Sequence, residues 1–309
     1  MKLKFYTEQV LTVLLVVVIL PWMITMLLHG KMSQIYEKIQ SETRYISIKS
    51  GDETEAISLE EYVLEVTAAE LPAETEEEAV KAQMVLVRTN AYRQLLAGKV
   101  REKERMSLTD MELNGYGEKF RKAQKATRGQ ILTYDGEPIL ASYHKISAGQ
   151  TRNGSEVFHS DQYPYLSSKA CPGDKNAPDY RQSIQIDDSW KNMEIEEKDS
   201  AGYVLRLKLD DAEMSGEEFR MKLGLPSAAF RLEKNGDGIF VITSGNGHGL
   251  GMSQYTARQL AKNGTGYQEI LAYFLTKPDW NIFPTGKKVT DRQYISLVSG
   301  NATGRYLEH

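Results

Sequence analysis

One cysteine, Cys171, stands in 309 residues. That count excludes an intrachain disulfide framework and any multi-cysteine zinc site. Basic stripes are equally scarce: KVREKER, Lys99 to Arg105, is the one dense cluster in a chain of formal net charge −4. A mildly acidic chain of this kind speaks against a nucleic-acid partner, and the cluster reads as a solvated helix or loop surface. There is no internal repeat and no low-complexity tract, which disfavours a repeat-built surface adhesin. Nucleotide fingerprints are missing too. Glycines alternate at 245, 247, 249 and 251, but no choice of first glycine puts others at the third and sixth places, and no phosphate-loop lysine follows.

Charge is absent from one long stretch. VLTVLLVVVILPWMITMLL, Val10 to Leu28, holds nineteen residues without a charge. At about 1.5 Å per residue it reaches roughly 28 Å, enough for a bilayer core. A cleaved signal peptide is the competing reading; the run is long for one, and LHGKMSQ offers no small-x-small cleavage site. Lys2 and Lys4 precede the span, which leans toward a cytoplasmic N-terminus and an external C-terminal body. The expected organisation is a cytoplasmic tip at 1–9, a transmembrane anchor at 10–28, a polar juxtamembrane linker at 29–50 and an extracytoplasmic domain at 51–309. That body, about 260 residues, is long enough for a sizeable core.

The helix boundaries that follow are well marked. Ser58 with Glu61 predicts a capping box, and Pro72 stops the first helix shortly after Glu70. Thr75 with Glu78 predicts a second box, opening a helix that runs to Leu96 or Ala97 before Gly98. Leu59, Val63, Val66 and Glu70 fall at steps of four, three and four, so a carboxylate continues an apolar stripe. At a helix C-terminus the dipole is negative, and partial burial removes water; both disfavour an ionised carboxylate and suit a proton donor. The alternative is a capping or ion-paired glutamate whose partner is Lys81 or Arg88.

Downstream the pattern turns to strands. GQILTYDGEPILASYH places two apolar runs around Asp135-Gly136, a tight-hairpin pair, and leads Tyr143 and His144 into the small, polar loop KISAGQTRNGSEVF. SGNGHGLGMSQYTARQLAKNG presents His248 among glycines, then opens a helix near Met252 or Ser253 that closes near Gly264. Free backbone N–H groups at that helix start suit a polar or anionic group. PGDKNAPD reads as a surface loop.

Four blocks in order, LEEYVLEVTAAELPAE…EAVKAQMVLVRTNAY, GQILTYDGEPILASYHKISAGQTRN, EEFRMKLGLPSAAF and GHGLGMSQYTARQLAKNGTGYQEILAYF, make the chain similar to the stage II sporulation protein D family, which includes the LytB-type amidase-enhancer proteins. The resemblance spans residues 59–274. It implies an α+β fold, a single mixed domain with a substrate groove behind an N-terminal transmembrane helix, and a single-pass cell-membrane location. The implied activity is lytic transglycosylase cleavage of peptidoglycan glycan strands stripped of stem peptides, in sporulation and engulfment.

The family's AAE-x-P motif falls on AAELP and assigns catalysis to Glu70. Lys81 and Arg88, seven apart on one helix face, with Gln83 nearby, are expected to contact the glycan, as are His144, Ser147, Gly149, Thr151, His248, Gly249, Gln254 and Tyr255 in the two small-residue loops. Partners implied are glycan strands, a cell-wall amidase and other membrane engulfment proteins, with no nucleic acid. Some members bind a metal through histidines and cysteines near the block holding His144. HKISAGQTRNGSE has no cysteine and no second histidine, so neither a metal nor a cofactor is expected. Ala148 stands where the family has a second glycine, and Thr256 departs from QYGA; neither position carries a proton, which implies a divergent member. Two function classes follow: a transglycosylase with Glu70 open to a cleft, or a peptidoglycan-binding amidase activator with Glu70 locked in an ion pair.

Overall fold

A computed structural model describes residues 45–50, 53–98, 100, 103–186, 190, 192–235, 238–276 and 278–282. Residues 1–9, the expected anchor at 10–28 and linker residues 29–44 lie outside the described residues. Among the described residues no helix is long and apolar enough to cross a membrane. Strand β1 (Tyr45–Ser50) pairs with β2 (Glu53–Ser58), and Ile46 is buried in the main core.

Helix α1 (Leu59–Glu70) starts where the Ser58 hydroxyl accepts the Glu61 N–H at 3.1 Å and stops at Leu71, ahead of Pro72. Leu59, Val63 and Val66 are buried, as the stripe predicts. Helix α2 (Glu77–Leu96) ends at Ala97 before Gly98, which takes the left-handed conformation. Its start differs from expectation. Glu76 holds the N-cap without a side-chain bond, and the Thr75 hydroxyl is buried without a partner. Glu78 instead takes Lys81 and the Tyr267 N–H, so no reciprocal box closes. Buried residues occur on every side of α2, because it is the central element of the main core.

Around α2 the chain lays down α3 (Leu108–Leu113), α4 (Gly117–Ala126), β3 (Gln130–Tyr134) and β4 (Glu137–Pro138). Asp135 and Gly136 both have positive φ, 51° and 81°, which is the two-residue hairpin turn that Asp-Gly favours. The second apolar run is not one strand. After β4 the chain bends, and β5 (Tyr143–His144) leaves the hairpin for another partner.

Beyond α5 (Gly154–Phe158) and a 3-10 turn at Pro172–Asn176 come β6 (Arg181–Ile186), β7 (Met193–Lys198), β8 (Val204–Leu209), β9 (Ala212–Ser215) and α6 (Gly216–Leu223). Next follow β10 (Phe230–Asn235), β11 (Gly238–Ser244), β12 (Met252–Ser253), α7 (Gln254–Lys262), α8 (Tyr267–Phe274) and β13 (Asp279–Ile282). The sheets β10-β11-β6 and β7-β8-β9 are antiparallel, and with α6 they enclose a second core around Leu207, Phe219, Phe230 and Val241. Helices and strands are therefore mixed, with antiparallel pairing in these sheets and in β13-β3-β4; β5 and β12 pair in parallel.

Candidate active site around Glu70

Glu70 is the last residue of α1, and its side chain is 28% exposed. The Tyr143 hydroxyl donates to its Oε1 at 3.3 Å. Lys103 Nζ stands 3.8 Å from the same oxygen, donates to the Tyr143 hydroxyl at 2.7 Å, and lies over the Tyr143 ring at 4.7 Å from its centroid. Burial pushes the Tyr143 hydroxyl well above the ordinary phenol range, and the Glu70 charge adds to the effect. Tyr143 therefore keeps its proton and remains a donor toward the carboxylate. Burial also lifts Tyr62, about two helix turns before Glu70 on α1, to about 12, against the pull of Arg105.

Strand pairing brings in the glycine-flanked histidine. Met252 pairs with Tyr143 and Ser253 with His144, and the His144 and His248 ring centroids are 5.8 Å apart. Leu250 fixes both tautomers. Its carbonyl accepts from His144 Nδ1 at 3.0 Å, and its N–H donates to His248 Nδ1 at 3.1 Å. His144 Nε2 is then an acceptor, buried and without a partner. Burial pulls His144 down to about 4 although the Leu250 carbonyl opposes it, and lowers His248 well below the ordinary imidazole value, with His144 adding to the effect. Both rings are neutral at pH 7. Among the described residues no group of three or more His, Cys, Asp or Glu side chains is placed to hold a metal ion.

Lys81 and Arg88 are not brought to Glu70. Lys81 pairs with Glu77 and Glu78 at 2.8 and 2.6 Å; burial depresses its ammonium, and those two hydrogen bonds outweigh the burial and raise it. Arg88 is fully buried and grips Glu60 with two bonds of 2.8 and 2.7 Å, so it braces α2 against α1. Gln83 is buried beside the Tyr143 hydroxyl, which it lowers slightly, at a geometry short of a full hydrogen bond. Ser147, Thr151, Gly249 and Gln254 are buried as well. A Cβ on Gly249 would lie 2.5 Å from the Tyr203 ring, and its φ is +80°, so that glycine serves close packing. Gly149 (φ +111°) is half-buried, and a Cβ there would lie 2.8 Å from the Lys175 side chain. The N–H groups expected to be free at the α7 start are taken: Tyr255 donates to the Lys145 carbonyl at 3.1 Å and Thr256 to the Ser253 hydroxyl at 3.2 Å.

The stage II sporulation protein family model matches residues 47–134. Stage II sporulation protein D of Bacillus subtilis (strain 168) is 34% identical over 257 residues, 73% of this chain and 75% of that protein. The protein of the same name from Bacillus amyloliquefaciens is 32% identical over 257 residues, covering 73% and 74%. The chain belongs to the stage II sporulation protein D family. An amidase enhancer of Bacillus subtilis (strain 168) is a more distant relative, 26% identical over 275 residues, 66% of this chain and 38% of that protein.

Within this family member, three groups that carry the site's geometry leave no mark in the pattern of the sequence. Lys103 comes from the basic cluster that reads as solvated surface. Asp174 comes from the stretch that reads as a surface loop, yet it is fully buried. Its carboxylate accepts the Ser147 N–H at 2.6 Å, the Ser253 hydroxyl at 2.7 Å and the Thr256 hydroxyl at 2.6 Å. The departure at Thr256 thus supplies a bond to this pin, and the Ala148 carbonyl accepts from the Tyr180 hydroxyl at 3.0 Å while its N–H meets the Tyr203 hydroxyl. Arg152, almost fully buried, bonds Asp199 at 2.5 Å, Glu217 at 2.9 Å and the His248 carbonyl at 3.2 Å, which holds the histidine loop from behind. No periodicity predicts such convergence, since the partners are tens of residues apart.

Proposed function

We propose that this family member is a membrane-anchored peptidoglycan lytic transglycosylase with an extracytoplasmic body, acting on denuded glycan strands in sporulation and engulfment. The observation that carries the reading is Glu70: a carboxyl group at a helix end, partly open to solvent, oriented by a tyrosine hydroxyl and faced by an ammonium. In its protonated form Glu70 gives its proton to the glycosidic oxygen as the C1–O bond breaks. The carboxylate left behind accepts the proton of the muramic acid C6 hydroxyl as that oxygen closes on C1. The products are a free sugar hydroxyl and a 1,6-anhydro-muramyl end, and Glu70 recovers its proton without a water molecule. One carboxyl group suffices, whereas hydrolysis with water ordinarily uses two.

Incubating purified denuded strands with the chain in detergent micelles, followed by mass spectrometry, tests this. Anhydro-muramyl ends are expected, and intact strands after prolonged incubation would sink it. A second reading, an amidase activator that binds glycan without cutting it, is favoured by the Lys103–Glu70 ion pair and by the relative named amidase enhancer. Strand binding without cleavage, together with faster turnover by an added cell-wall amidase, is its signature.

A further inference from the structure

We propose that Lys103 is the binding site for the lactyl carboxylate of a muramic acid that has lost its stem peptide, and that this carboxylate displaces Glu70 from the ammonium. It rests on the transglycosylase reading of Glu70 and names the group on the sugar that the site recognises.

Lys103 is the cation that faces Glu70, at 3.8 Å, which is a long contact for an ion pair, and its side chain is 36% exposed. An ammonium so placed can be reached by a ligand without unfolding anything. It is also held in place by more than Glu70: the bond to the Tyr143 hydroxyl at 2.7 Å keeps it there whichever carboxylate it faces. Among the described residues the charged and titratable groups around this point include Glu70 from α1, Lys103 from the segment before α3 and Tyr143 from β5, with Tyr62 of α1 acting on Tyr143 and the Lys103 charge acting on His248. Nearby Arg105 is bonded to Glu65 at 2.7 Å.

The substrate chemistry meets that arrangement. Muramic acid carries its lactyl group on O3, two ring bonds from the C1 at which the strand is cut. With the stem peptide present, the lactyl carbonyl is a neutral amide. With the peptide removed, it is an anion. A sugar seated with its glycosidic oxygen at Glu70 therefore presents either a charge or an amide to the neighbourhood of Lys103. When the anion arrives it takes the exposed side of the ammonium, and Glu70, whose contact of 3.8 Å is already long, gives up its ion pair while keeping the Tyr143 hydroxyl.

The test uses the full chain in detergent micelles and two probes: denuded strands with free lactyl carboxylates, and the same strands with those carboxylates converted to N-methyl amides. Sedimentation of bound protein gives affinity, and mass spectrometry gives anhydro ends. The expected result is roughly five- to twentyfold tighter binding of free than of amidated strands by the unaltered chain. That ratio should fall to about one in Lys103→Met and be largely restored in Lys103→Arg. An unaltered chain that binds both probes alike, or a Lys103→Met variant that keeps the preference, overturns the proposal. A chain that shows the Lys103-dependent preference and releases no anhydro ends supports the carboxylate site and removes the transglycosylase reading.

Discussion

Tyr143 reaches back 73 residues to donate its hydroxyl proton to Glu70 at 3.3 Å, which ties the short strand β5 to the final residue of α1. The neighbouring residue on the same strand, His144, faces His248. Two adjacent side chains of one two-residue strand therefore join the blocks around Glu70 and His248, although those blocks are 178 residues apart in sequence.

Glu70→Gln keeps the size and the Tyr143 bond but removes the transferable proton. Anhydro-muramyl product is expected to fall roughly 10²- to 10⁴-fold, with a Tm within about 2 °C of the parent. Full activity in the variant would take Glu70 out of the mechanism, and a large loss of stability with normal turnover would make it a structural ion-pair partner.

Tyr143→Phe removes the donor that orients Glu70 and leaves the ring under Lys103. A roughly tenfold loss of product formation is expected, the size of one hydrogen bond to a charged group. The ring still fills its buried place, so the fold should hold, while strand binding should weaken modestly because the same hydroxyl holds Lys103. An unchanged rate would show that the hydroxyl does not position the carboxylate.

Asp174→Ala leaves the Ser147 N–H and two hydroxyls without their acceptor in a buried site. A loss of about 3–5 kcal/mol is expected, read as a lowered urea midpoint. A cost under about 1 kcal/mol would mean that the three donors find other partners.

Buried His144 and half-buried His248 predict an acid-sensitive fold. His144 titrates near 4 in the folded chain against about 6.5 when unfolded, so between those values the unfolded state binds more protons. Stability attributable to His144 is complete above pH 6.5 and declines by on the order of 3 kcal/mol as the pH falls toward 4; the depressed value of His248 acts in the same direction. Denaturation midpoints at several pH values should show this slope, and His144→Gln should flatten it. An equal slope in the variant would assign the effect to carboxylates elsewhere.

Gly251 has φ +68°, and a Cβ there would lie 2.0 Å from the Ser142 carbonyl oxygen, beside the β5–β12 pairing. Gly251→Ala is expected to cost about 2–5 kcal/mol, from the left-handed backbone and the overlap together. Loss of strand binding should accompany it, since the pairing that aligns Tyr143 and His144 depends on that approach. A variant that melts like the parent would rule out the close contact.

The features that local chemistry controls were legible in the amino-acid order. Ser58 and Pro72 bound α1, Gly98 ends α2, Asp135-Gly136 turns the hairpin, and the buried stripe of Leu59, Val63 and Val66 leads to Glu70, because caps, turns and helical periodicity depend on residues within a few positions of one another. Thr75 and Glu78 misled for the same local reason. Their box would have closed on an isolated helix, but Glu78 is claimed by Lys81 and by the Tyr267 N–H from 189 residues away. What only the tertiary structure decided is which charges meet. Arg88 is turned inward onto Glu60, Lys81 onto Glu77 and Glu78, and Lys103, from an unremarkable basic run, becomes the cation beside Glu70. Asp174, in a stretch with every mark of a surface loop, becomes a buried acceptor because Ser147, Ser253 and Thr256 bring it three donors. The pairing of ions and the satisfaction of buried polar groups are properties of the packed chain, whose partners are chosen by proximity in space.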